Sequence, residues 1–158
     1  MDIRLLWDER EIWRTLCRLA RAMDARAWDD LPAIFTADAT AVTIAWPEGA
    51  TLLKSEPFFN TAQHPLVRFV SGPITPIDPT HFQIRGSLEI RGVKQPITLN
   101  ATMTSRGPGP GGKTEIADFQ ITSAISRATW GMTAQQTMIS DQVRLTITAR
   151  IELPALPK

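Results

Sequence analysis

The sequence predicts a mainly β protein, an antiparallel barrel or sandwich preceded by one long and one short α-helix. From about residue 40 onward, apolar residues recur at every second position in run after run, with Gly and Pro between the runs. Ahead of residue 39 the apolar spacing is helical instead.

The helical part comes first. Ile12, Leu16, Leu19 and Met23 follow 4-3-4 spacing, one apolar stripe, with Trp13 and Ala20 beside it. Asp8, three residues before Glu11, reads as a capping box with Asp at the N-cap, so a helix is expected over about 9–25. A short second helix is expected around Asp29–Phe35, with Pro32 tolerated in its first turn. Arg10, Arg14, Arg18 and Arg21 share the helical period. Glu9 and Glu11 lie on the same helix, which reads as a solvated face.

The strands follow. Thr40–Trp46 and Val67–Val70 are strand-like. Phe82, Ile84, Gly86, Leu88 and Ile90 alternate with polar residues, as do Ile97, Leu99, Ala101 and Met103. Phe119, Ile121, Ser123 and Ile125 form a further run, and Val143, Leu145, Ile147, Ala149 and Ile151 form the last. Gly92–Pro96 reads as a hairpin link, and Gly107–Gly112 as a loop.

A chain of 158 residues suits one domain with a real core. With 43% hydrophobic and 21% charged residues the composition is ordinary for a folded domain. The net charge of +1 supplies no field that would recruit nucleic acid. Cys17 is the single cysteine, so no internal disulfide forms, and among helical apolar positions it reads as a small buried hydrophobe. No stretch approaches the ~20 apolar residues of a membrane span. Asp2, Asp8 and Glu9 interrupt the N-terminus, which does not read as a signal peptide. If Met1 is the true start, the chain is expected in the cytoplasm.

Gly107 to Thr114 matches the phosphate-loop pattern GxxxxGK followed by Ser or Thr. That chemistry needs successive backbone N–H groups, a strand leading in and a helix following. Pro108 and Pro110 each remove an N–H, and the segment after Thr114 alternates as a strand. The motif is therefore rejected as a nucleotide site and read as a hairpin loop. His64 and His81 are 17 residues apart with no further ligands beside them, so no metal site and no cofactor is expected. Asp24, Asp29, Asp30 and Asp38 could supply an acid, but three of them flank short helices, where caps and turns favour Asp anyway. No Ser sits in a GxSxG elbow. The alternating side chains themselves either fill a core or line a cavity for an apolar ligand.

Four ordered stretches carry a family resemblance. They are Leu53-Lys54-Ser55-Glu56-Pro57-Phe58-Phe59-Asn60 with His64-Pro65-Leu66-Val67-Arg68-Phe69; Gly86 to Leu99, holding Gly92-Val93 and Pro96; Ile125-Ser126-Arg127-Ala128-Thr129-Trp130-Gly131-Met132; and Ile139 to Leu145. Together they resemble the YceI-like family, lipocalin-like barrels that bind polyisoprenoids and related lipids. Glu11–Ala39, with Met23-Asp24-Ala25-Arg26-Ala27-Trp28-Asp29-Asp30-Leu31 followed by Ile34-Phe35-Thr36-Ala37-Asp38-Ala39, resembles the opening of a SnoaL-like α+β domain. The expected division is a helical SnoaL-like start over 1–39 and a YceI-like barrel region over 40–158, lacking the family's first strands.

The first resemblance implies non-catalytic binding of a lipid, polyisoprenoid or isoprenoid quinone. Phe58, Phe59, Phe69, Leu88, Ile97, Leu99, Ile125, Trp130 and Met132 are the expected lining. It also implies the periplasm. The second resemblance implies a small cyclase, isomerase or dehydratase using Asp24 or Asp38. A fragmentary fold without activity is a third reading. Missing barrel strands would leave unpaired edges that invite a homodimer.

Overall fold

The computed structural model describes residues 4–7, 34–43 and 47–154. The helix expected over about 9–25, Cys17, Asp24, Asp29 and Asp30 lie outside them. Among the described residues, seven strands form one antiparallel sheet in which each strand pairs with the next: β1 (Arg4–Trp7), β2 (Ile34–Thr43), β3 (Leu66–Pro76), β4 (His81–Ile90), β5 (Val93–Pro108), β6 (Thr114–Ser126) and β7 (Gln142–Pro154). The outer strands are β1 and β7, and no pairing joins them among the described residues, so the sheet is not closed there.

The mainly β, antiparallel expectation holds, with changes at the front. Ile34 and Phe35, expected at the end of a short helix, pair in β2 with Val70 and Phe69 of β3. Cross-strand pairing outweighs the local Asp-Pro helix signal there. β1 and β2 both come from the segment read as helical, and β2 crosses the junction placed at residues 39 and 40. An α-helix the alternation did not announce, α1 (Pro47–Lys54), joins β2 to β3. Its start is set by Pro47 in the first turn, its acidic first turn by Glu48 and its basic last turn by Lys54.

The later strands arise where the alternation placed them. Phe82, Ile84, Leu88 and Ile90 on β4, Leu99 and Ala101 on β5, Phe119, Ile121 and Ile125 on β6, and Val143, Leu145, Ile147 and Ala149 on β7 turn one face inward into a single apolar core. Val67, Phe69 and Ile74 on β3 belong to the same core. The step from Ser71 to Ile74 carries one extra residue against Gly86 to Ile84, a bulge that re-phases β3. Gly86 is where Phe69 crosses the sheet: a Cβ there would overlap the Phe69 ring and the Val70 carbonyl oxygen.

The link between β4 and β5 is shorter than Gly92–Pro96. Ile90 pairs with Val93, so the turn is Arg91–Gly92 alone, both at positive φ (54° and 74°), the two-residue hairpin whose twist suits the strands. Pro96 is already inside β5, opposite Ser87. The Gly107–Gly112 segment is a hairpin loop. Its Gly109 and Gly112 N–H groups are given to the carbonyls of Thr114 and Gly109, so they are not free to cradle a phosphate.

Candidate functional site

The β5–β6 ladder begins at Asn100, opposite Thr122, and runs away from the β4–β5 turn. Over residues 93–99 β5 is laddered to β4, and over 123–126 β6 is laddered to β7, while between these two stretches the ladder is open. Pro96 supplies a reason. Ile90 and Val93 close a two-residue turn, so they form a hydrogen-bonded pair and alternate pairs repeat that arrangement. Pro96 with Ser87 falls on the other phase, which aims the backbone of Pro96 toward β6. Pro96 has no N–H to offer there. Two side chains span the opening instead: Ser123 Oγ donates to the Thr98 carbonyl (2.8 Å) and Gln95 Nε2 to the Thr129 carbonyl (3.3 Å).

The parted strands leave a slot of about 500 Å³. Arg85, Pro96 and Thr98 border it on one side, Ile125 and Trp130 on the other, and Ile97 lies between. Trp130 is buried and donates from Nε1 to the Leu88 carbonyl (3.0 Å), which fixes the ring. Inward of the slot, Phe69, Leu88, Ile97, Leu99, Ile121, Leu145 and Ile147 surround a second space with no polar lining, of only about 10 Å³. A space of that size is at the limit for one water, and walls without polar partners keep it dry. Ile97 belongs to both.

Of the nine residues expected from sequence, Phe69, Leu88, Ile97 and Leu99 meet around the inner space, and Ile97, Ile125 and Trp130 at the slot. Phe58 and Met132 meet elsewhere, at Arg127, and Phe59 is buried after α1 with its N–H on the Leu53 carbonyl. Ile121, Leu145 and Ile147 belong with the lining, and their own alternation pointed to the same face. Arg85 lay in the polar phase of β4 and gave no signal by itself.

Arg127 is the residue the sequence passed over. It is 1% exposed, yet its guanidinium is satisfied by carbonyls: Nε to Ser140 (3.0 Å), Nη2 to Ile139 (3.0 Å) and Nη1 to Met132. Its Cζ lies 5.5 Å from the Phe58 ring centroid, a cation–π placement. Asp141 stands beside it and takes the Ala128 N–H (3.0 Å). The Ser126 hydroxyl, then the Ala128 N–H and the Arg127 charge hold the Asp141 carboxyl below its ordinary range. These contacts fasten the segment between β6 and β7 over one end of the core. Close by, Arg91 donates to the Gly131 carbonyl (3.0 Å) and pairs with Glu56 at 3.7 Å.

The histidines stay apart. His81 is half exposed and its Nδ1 lies 2.8 Å from Asp78 Oδ2, in a loop where the Thr80 N–H, then His81, hold the Asp78 carboxyl at about 2. His64 sits over Gly92. Among the described residues no three His, Cys, Asp or Glu side chains cluster to hold a metal. Asp38 lies in β2 opposite Leu66. No described helix is long and apolar enough to cross a membrane.

An open-edged antiparallel sheet with an apolar inner face, a parted strand pair and a fastened end defines a mainly β, single-sheet class of protein. The YceI-like domain matches residues 19–151, and the chain belongs to the YceI-like family. It is 31% identical over 103 residues to Protein YceI of Escherichia coli O157:H7 and, equally, to Protein YceI of Shigella boydii. Each match takes in 59% of this chain and 53% of the relative, so the chain spans about half the length of the curated relatives it matches. In fold it superposes on the Campylobacter jejuni YCEI protein with a TM-score of 0.71 at 19% identity, covering 98% of this chain and 82% of that one. Burkholderia cenocepacia BcnA gives 0.65 at 19% identity, covering 75% and 73%. The SnoaL-like resemblance of Glu11–Ala39 is not borne out, because the YceI-like match itself begins at residue 19.

Proposed function

We propose that this chain binds a long apolar ligand, a polyisoprenoid, isoprenoid quinone or other lipid, and catalyses no reaction. The observation that carries the reading is that Ile97 lines both the slot, beside Ile125 and Trp130, and the inner apolar space, beside Phe69, Leu88 and Leu99. Family membership supports it, and so does the nature of the inner lining, where each side chain transferred from water contributes about 1.5–3 kcal/mol. Phe58, Phe59 and Met132 complete the proposed lining at the fastened end. A tail entering the inner space must displace side chains, since that space holds about 10 Å³. The proposed setting is the periplasm, and the outer strands β1 and β7 support a homodimer through strand edges.

The same filled interior favours a second reading, in which the inward residues are packing alone and the chain binds nothing. Native mass spectrometry after bacterial expression separates the two. A co-purified lipid, or uptake of a long-chain prenol, supports binding. Absence of both removes it. A single-chain mass at micromolar concentration removes the dimer.

A further inference from the structure

The slot is not uniformly apolar, and its polar side has one sign. Arg85 borders it, and its guanidinium has no ion pair among the described residues. Thr98, on β5, and Thr129, beside Trp130 on the opposite side, line it as well, and no carboxylate does. The nearby acids are committed: Glu89 to Lys94 (3.7 Å), and Asp141 to the Ser126 hydroxyl and Ala128 N–H. A cation and hydroxyl donors with no competing anion match a phosphate-like or carboxylate head group. Ile97 also borders the inner space, whose walls are wholly apolar.

We propose that the slot between β5 and β6 is a head-group site for an anionic amphiphile, with Arg85 holding the anion at the outer rim and the tail running inward past Ile97. The proposal rests on the apolar-ligand reading above and adds to it the charge of the ligand and its point of entry. Loading through the wall of the sheet requires the parting of two side-chain hydrogen bonds, Ser123 to Thr98 and Gln95 to Thr129, rather than of a continuous ladder.

The test compares dodecyl phosphate, dodecanol and inorganic phosphate by titration calorimetry, below micelle-forming concentrations, on the full chain and on Arg85→Gln and Arg85→Lys. Arg85 is exposed, so the variants keep the fold, and unchanged melting temperatures check this. Dodecyl phosphate is expected to bind about tenfold or more tighter than dodecanol, the scale of one charge-assisted hydrogen bond. Arg85→Gln is expected to erase that difference without weakening dodecanol, and Arg85→Lys to keep part of it. Equal affinity for the two dodecyl compounds, or a preference that survives Arg85→Gln, overturns the head-group site and leaves the apolar reading standing. Inorganic phosphate binding as tightly as dodecyl phosphate overturns the amphiphile in favour of a free-anion site. No binding of either dodecyl compound overturns the apolar reading and this proposal together.

Discussion

Replacing Arg127 with methionine removes a guanidinium but keeps most of the volume and a soft contact with Phe58. Three carbonyls then lose their donor: those of Met132, Ile139 and Ser140. Each hydrogen bond to a charged donor is worth about 1.5–3 kcal/mol net. The Ile139 and Ser140 bonds are only part-buried, so their carbonyls can recover water once the segment shifts, whereas the Met132 bond is buried. A loss of about 2–4 kcal/mol is expected, the buried bond in full and part of the other two. For a chain of this length that corresponds to a fall of roughly 10 °C in Tm. Arg127→Lys is expected to recover only part, because an ammonium lacks the planar fork that reaches three acceptors. Urea denaturation followed by circular dichroism reads the loss directly. A change below about 1 kcal/mol would refute the idea that Arg127 fastens the β6–β7 segment.

Trp130→Phe removes the buried donor to the Leu88 carbonyl, and a cost of about 1–3 kcal/mol is expected in the same denaturation assay. Gly86→Ala puts a methyl into the Phe69 ring and the Val70 carbonyl, and about 2 kcal/mol or more of destabilisation follows, with Phe69→Ala in the same chain relieving the ring part of the overlap. Asp118 gives a pH dependence. Hydrogen bonds from Arg150 (2.6 and 3.0 Å), then from Ser105 (2.7 Å), lower its carboxyl from 3.8 to about 2. A depressed folded value means stability that is present above the unfolded value and is lost as pH falls toward about 2. Melting temperatures measured from pH 5 to 2 should therefore fall less steeply in Asp118→Asn than in the parent, and identical slopes would remove the linkage.

The sheet was legible from β4 onward because there the inward phase is written directly into the residues. Phe82 to Ile90 and Val143 to Ala149 need only a period of two. β3 was seen only as Val67–Val70, because the bulge at Ser71 to Ile74 breaks the phase halfway along the strand. The start of β2 does not show in the sequence because Asp29, Asp30 and Pro32 carry local helix-start signals, while its pairing with β3 depends on residues some thirty positions away. The apolar part of the site could be read from alternation. Arg85 and Thr98 could not, since both sit in the polar phase and acquire meaning only where β5 and β6 part. Pro96 is the available sign of that parting, but beside Gly92 its local signal is that of a turn. Arg127 stood inside a recognised motif, but nothing in a single sequence says that an arginine will be buried against carbonyls.

The strict next-neighbour order of the strands has a consequence for how the chain assembles. Each strand pairs with its neighbour in sequence, so from β3 onward hairpins can close one after another as synthesis proceeds. The β4–β5 pair, closed by a two-residue turn, has the shortest loop to close and is the natural seed. The widest gap along the described ladders is between β1 and β2, where Trp7 meets Ala37 across almost thirty residues. Ordering of β1 is therefore expected to come last, after the remainder of the sheet has offered it an edge.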